Sequence, residues 1–357
     1  MILRNLDTLR FFAIFFMIYG HFDYDSIMNP DIPIHDDPRR FLFVISDMLR
    51  ILAAPFLGAV AGYFSVELIN RGTYKKLVEK KWRTLITPFL VWNTAFIAVQ
   101  LVKFYVGENL LGVTFASAPP DMHSPGAILR LYNFIGLPAN FPLHYIQDLF
   151  ILNLALPIFL YAAKHLRLLL PILCFLCLVY VPIHLTSILP RSDLAAFFGL
   201  GVYAYLHRDA AGAFLKTRAA SILAAATFLA YILVVWGYFV PEDTHTNKPI
   251  LFGLSSVEAL RLCASFCLLW VAANWPVWRC GVERHVTRGD IFRAYCMHAI
   301  VISVFWPFIK IASHKLDNVA ATYLMTLSFP ALVFAVAIAT GRMQGFIKNR
   351  PRPLPSA

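Results

Sequence analysis

Long apolar runs are the feature of this sequence that most restricts its fold. About ten of them recur, each close to the ~20 residues that a helix needs to cross a bilayer. Their approximate spans are 8–24, 41–69, 84–106, 142–163, 168–188, 193–207, 219–240, 251–273, 290–312 and 319–341. Only 14% of the 357 residues are charged, whereas a soluble domain carries about a quarter. The sequence therefore predicts an all-α, polytopic integral membrane protein with a bundle of about ten transmembrane helices.

The positions of Lys and Arg indicate how these helices are oriented. If the N-terminus is cytoplasmic, basic residues concentrate in alternate loops, as in the cluster over residues 71–83, while the opposite loops are acidic, as at Asp36. The positive-inside rule then places both termini in the cytoplasm. We expect residues 1–341 to form a single transmembrane domain, followed by a short basic cytoplasmic tail over residues 342–357.

Net charge and cysteine content argue against nucleic-acid binding and metal binding. The formal net charge is +11, but the basic residues sit in short loops instead of forming a face interleaved with aromatic residues. Cys174 and Cys177 are spaced like a ligand pair, yet no second pair occurs at zinc spacing, so we expect no metal site. The first apolar run lacks a small-x-small cleavage site after it, so we expect it to remain as a helix.

Two ionisable residues of the first run draw attention, because a charge inside a spanning helix is costly and marks function by default. At about 100° per residue, Arg10 and His21 return to within roughly 20° of one face, about 16 Å apart along the axis. The same spacing also fits an arginine at the headgroups and a histidine at the far interface. Spacing alone does not separate these two interpretations.

Several segments, in order, carry a resemblance to a known family. The first is NLDTLR at residues 5–10, with His21 following Arg10 after ten residues. The others are PFLGAVAGYF at 55–64, KWRTLITPF at 81–89, PLHYIQDL at 142–149 and YCMH at 295–298. Together they resemble the membrane-bound acyltransferase-3 family of bacterial surface-glycan O-acyltransferases, whose first helix carries an Arg and a His at this spacing. The chain has Ala61, His144 and Gln147 where that family has Ser, Trp and Arg.

The resemblance implies a reaction and its partners. It implies an O-acyltransferase of the bacterial inner membrane that moves an acyl group, commonly acetyl, from cytoplasmic acyl-CoA to a sugar hydroxyl. The acceptor would be an envelope polysaccharide, such as lipopolysaccharide, or a lipid-linked glycan. Acyl-CoA would be a co-substrate, with no permanently bound cofactor, and membrane lipid would surround the protein. The oligomeric state is left open.

Roles for individual residues follow from the resemblance and from the chemistry of the reaction. A hydroxyl needs a base near neutral pH, so His21 is the candidate catalytic base, or it carries the acyl group as an acyl-imidazole. Arg10 would position the donor or polarise its carbonyl. Arg83, Lys81 and Lys80 would bind the phosphates of acyl-CoA, for which a basic site is suited. The two lysines fit equally well as loop charges that only set the topology.

The acceptor would contact a second set of residues. His144, Gln147 and Asp148 lie at i, i+3 and i+4 and so share one helix face, which can bind sugar hydroxyls or let Asp148 orient His21. Tyr295 and His298 would complete the substrate site. A hydrogen-bonded core histidine is an equally good interpretation of His298.

Two other functions are compatible with the helix count and the buried charges. One is a transporter or flippase of a lipid-linked sugar, although the sequence lacks the related halves that transporters often show. The other is a membrane partner of a polysaccharide synthase without chemistry of its own. An arginine and a histidine in register on one helix favour the enzyme.

Overall fold

The structure is a computed structural model that describes most of the chain. The described residues are 2–22, 37, 40–106, 126, 129, 131–132, 139–166, 169–180, 190–237, 256–275, 285–315 and 318–348. Every regular element within them is a helix, so the predicted all-α class is confirmed for this part of the chain. Residues 349–357 of the predicted tail lie outside the described residues, and the division into a domain and a tail stays a prediction.

The helices are numbered in chain order. They are α1 (Ile2–Tyr19), α2 (Arg40–Asn70), α3 (Tyr74–Lys81), α4 (Thr87–Val106), α5 (His144–Leu154), α6 (Leu156–His165), α7 (Leu169–Tyr180), α8 (Ser192–Leu206), α9 (Arg208–Leu215), α10 (Arg218–Gly237), α11 (Ser256–Asn274), α12 (Arg288–Lys315) and α13 (Val319–Lys348). A π-helical turn at Trp82–Ile86 joins α3 to α4, and a 3₁₀ turn at Phe141–Leu143 precedes α5.

Several of these helices can cross a membrane. Among the described residues, four helical stretches are long and apolar enough: Ala53–Asn70, Tyr74–Val106, Arg288–Ile311 and Val319–Met343. Two bent pairs, α5 with α6 at 56° and α9 with α10 at 74°, raise the number to as many as six. Shorter apolar helices overlap the remaining predicted spans. The protein is thus a multi-pass membrane protein, while the count of about ten crossings and the cytoplasmic termini stay predictions.

The first helix ends earlier than the predicted span 8–24. α1 stops at Tyr19, and the next backbone N–H groups bond three residues back: Gly20 to the Met17 carbonyl at 3.0 Å and His21 to the Ile18 carbonyl at 3.2 Å. This tighter pattern is typical of a helix end. His21 therefore follows the helix, and its angle to Arg10 is set by a turn instead of by α-helical register.

Buried packing places α1 inside the bundle. It contacts α2, α11, α12 and α13, and the fully buried Asn5 ties its start to the end of α11. The Asn5 amide nitrogen donates to the carbonyls of Ala272 and Trp275, each at 2.7 Å. These are carbonyls of the last helical turn and beyond, which the helix itself leaves without partners. The residues of α1 that follow Asn5 are thereby fixed against the core.

Small residues let α2 and α8 approach closely. A Cβ atom built on Gly201 would lie 1.9 Å from the Ala59 carbonyl oxygen, and one on Gly62 would lie 2.1 Å from the Phe198 carbonyl oxygen. Helices in membranes associate through such close backbone contacts, because lipid offers no hydrophobic drive between them. This crossing anchors α2, whose residues Leu57, Ala61 and Phe64 line one of the two cavities described next.

Candidate active site

His21 lines a cavity of about 490 Å³, here called the His21 cavity, which lies against α4, the 3₁₀ turn and α12. Most of its wall is apolar and includes Phe96, Phe141 and Trp306. The polar side chains of its described lining are His21, Gln100, Lys103, Ser303 and Lys310. The cavity thus combines a candidate base with hydrogen-bonding groups and apolar surface, as small-molecule sites commonly do.

A buried asparagine holds one wall of the His21 cavity. The Asn93 amide nitrogen donates to the Leu131 carbonyl at 2.7 Å, and its side-chain oxygen accepts the backbone N–H of Asn140 at 2.8 Å. Asn93 is fully buried on α4. It therefore fixes the segment leading into Phe141 and Pro142, both of which line the cavity.

A proline explains the position of a lysine in the same cavity. Pro307 lies inside α12 and has no N–H, so the carbonyl of Ser303, four residues earlier, lacks its helical partner. The Lys103 ammonium donates to this carbonyl at 2.7 Å and to the Ser303 hydroxyl at 3.0 Å, and Gln100 donates to the same hydroxyl at 2.8 Å. Lys103 is therefore directed from α4 towards α12.

A second histidine lies against His21. The ring centroids of His21 and His298 are 4.9 Å apart, and His298 is 1% exposed. The Nδ1 atom of His298 bonds the Tyr295 carbonyl at 2.5 Å. Because a carbonyl only accepts, Nδ1 carries the proton, which leaves Nε2 as an acceptor in the neutral ring. This Nε2 is buried without a hydrogen-bond partner among the described residues.

Arg10 lines a different cavity of about 230 Å³, here called the Arg10 cavity, which also touches α2, α5 and α12. Its cations are Arg10, Lys81 and Arg288, and the described lining includes no acidic side chain. The guanidinium carbon of Arg10 stands 4.2 Å from the ring centroid of Phe64, a cation–π contact that orients it. Three cations with apolar neighbours are suited to a ligand that is both anionic and long-chained.

Tyr295 and Pro142 connect the linings of the two cavities by a hydrogen bond. Tyr295 lines the Arg10 cavity, Pro142 lines the His21 cavity, and the Tyr295 hydroxyl donates to the Pro142 carbonyl. Arg10 and His21, which the sequence predicts on one face of a continuous helix, line separate cavities, and this hydrogen bond joins residues of the two linings.

The three predicted donor-binding residues have different positions. Lys81 lines the Arg10 cavity together with Leu85, four residues on, whereas Lys80 and Arg83 are exposed on other faces of the same helical stretch. Sequence reasoning missed Arg288, which begins α12 seven residues before Tyr295. That spacing places both on one helix face, and it is the signal that would have found Arg288.

Comparison with known proteins decides the reaction class. A family model described as an acyltransferase domain, Acyl_transf_3, matches residues 3–340. The chain belongs to the acyltransferase-3 family. Over 379 aligned residues it is 24% identical to the succinoglycan biosynthesis protein ExoH of Rhizobium meliloti (strain 1021), covering 96% of this chain and 95% of the relative. No solved structure matches the chain.

Membership in the acyltransferase-3 family confirms the resemblance seen in the sequence and makes the protein an acyl-transferring enzyme. It gives no support to the alternative of a transporter or flippase. The Arg and His that the sequence shares with the family's first helix are Arg10 and His21, and each lines a cavity. Their roles in the family's reaction are taken up below as proposals.

The predicted acceptor residues, His144, Gln147 and Asp148, lie outside both cavities. Among the described residues, His144 and Asp148 are buried and contact Arg191, at 3.3 Å from its guanidinium to His144 Nε2 and 3.5 Å from its backbone nitrogen to Asp148. His144 Nδ1 also bonds the Phe141 carbonyl at 2.7 Å. Gln147 is half-buried, and none of the three lines either cavity. Asp148 thus neighbours Arg191 instead of orienting His21.

Arg191 belongs to an ion-pair network that sequence reasoning missed. Asp193 bonds Arg191 at 2.5 Å and Arg261 at 2.9 Å, and it is 3% exposed. Burying a charge is costly, and an opposite charge at hydrogen-bond distance offsets part of that cost. The network links the start of α8 to α11 and, through His144, to the 3₁₀ turn beside the His21 cavity. Among the described residues, no group of three or more His, Cys, Asp or Glu is placed to hold a metal.

Proposed function

We propose that the protein is a bacterial inner-membrane O-acyltransferase that moves an acyl group from cytoplasmic acyl-CoA to a sugar hydroxyl of an envelope polysaccharide or a lipid-linked glycan. The observation that carries the proposal is a histidine-lined cavity and a tribasic cavity whose linings are joined by the Tyr295–Pro142 hydrogen bond. The family supplies the reaction class. The two cavities suggest where its two substrates bind.

The donor fits the Arg10 cavity. Coenzyme A is polyanionic, and the cations of Arg10, Lys81 and Arg288 stand together without an acid in the described lining. Arginine pairs with phosphate through its planar fork and lysine as a point charge. The pantetheine arm would then extend the thioester past Tyr295 towards His21, along roughly 14 Å of helix from Arg10 to Tyr19 and the turn that follows. In this arrangement Arg10 positions the donor.

His21 would perform the chemistry by one of two routes. As a base, an imidazole nitrogen takes the proton of the sugar hydroxyl while the hydroxyl oxygen attacks the thioester carbon. The C–S bond breaks, and the coenzyme thiolate recovers the proton from the imidazolium. As a nucleophile, the imidazole first takes the acyl group and expels the thiolate. The sugar oxygen then displaces the imidazole, and its proton goes to the thiolate.

His298 suits the proton transfers of either route. Its Nε2 atom is an acceptor in the neutral ring, and its ring is beside that of His21. A second imidazole at this distance can accept a proton that His21 must release, or orient the His21 ring as the third group of a catalytic triad does. The two histidines would thus work as a pair.

The acceptor is assigned from the relative and from the remaining cavity. The relative is named for succinoglycan biosynthesis, which suggests that the acceptor of this chain is a polysaccharide. The His21 cavity offers the hydroxyl of Ser303 and the amide of Gln100 beside apolar rings. Hydroxyls, amides and ring faces are the groups expected around a sugar.

Labelled acyl-CoA provides the test. Membranes containing the full chain are incubated with labelled acetyl-CoA and glycan from a strain that lacks the gene, and label in the glycan is counted. His21→Ala is expected to lower transfer by at least about a hundredfold at an unchanged level of protein. The matched control is His165→Ala, which removes an exposed histidine at the end of α6. If wild-type protein transfers no label from acyl-CoA to the glycan, the proposal is contradicted. The mass increment on the glycan identifies the acyl group.

A further inference from the structure

The His21 cavity carries two positive charges that acyl transfer to a neutral sugar does not require. Lys103 and Lys310 line it together with His21, and its described lining contains no acidic side chain. Both lysines lie in apolar helices, α4 and α12, and not in loops. A cation inside a spanning helix is costly and calls for a partner or a function.

Lys103 lines the cavity and reaches from α4 to α12. Its ammonium is held by the carbonyl and the hydroxyl of Ser303, in the seam between α4 and α12. An ammonium has three donors, and those two bonds leave one of them for a ligand. Because Pro307 removes the helical partner of the Ser303 carbonyl, the backbone itself fixes this cation at the cavity wall.

Lys310 extends the positive surface along α12. It lies seven residues after Ser303, so both side chains fall on the same helix face, and both line the cavity. Within the residues that the structure describes, Lys310 is paired with no carboxylate. Two ammonium groups beside a candidate catalytic histidine, with apolar walls that strengthen their field, form a site for an anion.

We infer that the His21 cavity binds a carboxylate, or an equivalent anionic group, of one of the two reactants through Lys103 and Lys310. The inference rests on the proposed acyl transfer and adds a substrate class to it. The anion has two possible sources: an acyl group that carries a second carboxylate at its far end, or an acidic sugar in the acceptor. In either case the two lysines hold the anion while His21 acts on the neighbouring hydroxyl.

The experiment varies charge on the protein and on each reactant. Lys310→Gln removes a charge, Lys310→Arg keeps the charge, and Lys103→Gln tests the second cation. Lys75→Gln, at an exposed position on α3, is the matched control. Membranes with each full-length variant receive acetyl-CoA or succinyl-CoA. The acceptor is glycan from the deletion strain, either untreated or with its carboxylates reduced to alcohols.

The expected result is a KM effect confined to the charged reactant. Lys310→Gln should raise that KM by about tenfold, as loss of a hydrogen bond to a charged group does, with little change in kcat, while Lys310→Arg restores it and Lys75→Gln leaves it unchanged. If the KM effect of Lys310→Gln appears only with succinyl-CoA, the anion belongs to the donor. If it appears only with glycan whose carboxylates are intact, the anion belongs to the acceptor. Both outcomes support the inference.

The inference would be overturned if KM were equal for charged and neutral reactants in the wild type and in both lysine variants. The proposed function would still stand in that case, provided that these proteins transfer the acyl group to glycan. Wild-type membranes that transfer no acyl group from either donor would instead refute the proposed function, and this inference with it. The two failures are therefore distinguishable in one set of assays.

Discussion

The hydroxyl of Tyr295 donates a hydrogen bond to the backbone carbonyl of Pro142, and the two residues line different cavities. If acyl-CoA binds beside Arg10 and the sugar beside His21, the thioester must pass this contact. Tyr295 is 3% exposed, and its ring also packs 5.9 Å from that of Tyr145. We therefore expect this hydrogen bond to restrict passage between the cavities and to open during the reaction.

Tyr295→Phe should weaken that closure, because it removes the hydroxyl and keeps the ring. We expect hydrolysis of acyl-CoA in the absence of glycan to rise about fivefold, in line with the ~1 kcal/mol that such a hydrogen bond contributes. Free coenzyme thiol released by membranes measures it. Tyr74→Phe is the control, since Tyr74 also donates to a carbonyl, that of Leu154, but lies at an exposed position. Equal hydrolysis by the two variants would show that the contact is no barrier.

His298→Asn separates a catalytic role from a structural one. An asparagine amide can still donate to the Tyr295 carbonyl, as Nδ1 of His298 does, but it places no basic nitrogen beside His21. We expect transfer to fall by about a hundredfold, which is typical for loss of an acid–base group, with normal membrane insertion. His165→Asn provides the comparison. Should His298→Asn keep full activity, His298 is a core histidine, as the sequence equally allowed.

The sequence showed which residue types share a helix face, but not which neighbour that face meets. His144, Gln147 and Asp148 lie on one face as predicted, yet the face meets Arg191, which is far along the chain. The contact depends on how α8 packs against α5, and a local pattern contains no information about such packing. The end of α1 at Tyr19 was also missed, although Gly20 directly follows it and glycine is the commonest residue just after a helix end.

Four residues on one face of α12 line the two cavities, and their regular spacing is visible in the sequence. Arg288 and Tyr295 face the Arg10 cavity, while Ser303 and Lys310 face the His21 cavity, all at spacings of seven or eight residues. Their common face follows from helix geometry. What the sequence could not supply is the contact of Tyr295 with the Pro142 carbonyl, because that carbonyl belongs to a turn distant in the chain.

Arg288→Gln tests the assignment of the donor site. Loss of one of three cations from the Arg10 cavity should raise the KM for acyl-CoA about tenfold and leave the KM for glycan unchanged, and Lys81→Gln should act in the same direction. Arg83→Gln should have a smaller effect, since Arg83 is exposed and lines neither cavity. Steady-state transfer with varied acyl-CoA measures these values.

The control for this series is Arg218→Gln, which removes an exposed arginine from the start of α10. It corrects for any general loss of positive charge. An Arg83→Gln variant with the largest KM effect would favour the site predicted from the sequence over the one that the cavity indicates.

Gly201→Ala tests the packing that holds the bundle together. In an isolated helix the change is stabilising by about 1 kcal/mol, but here the added Cβ would lie 1.9 Å from the Ala59 carbonyl oxygen on α2. Backbone atoms at this crossing cannot yield as a flexible side chain would, so α2 and α8 must separate. Overpacking of this kind costs about 1–3 kcal/mol, and we expect a lower melting temperature in detergent, measured by tryptophan fluorescence or size-exclusion chromatography after heating.

Gly72→Ala is the control, because its Cβ would have no neighbour closer than 3.9 Å. If Gly201→Ala melts at or above the wild-type temperature while Gly72→Ala is neutral, the close crossing of α2 and α8 is wrong, and so is the wall that α2 contributes to the Arg10 cavity.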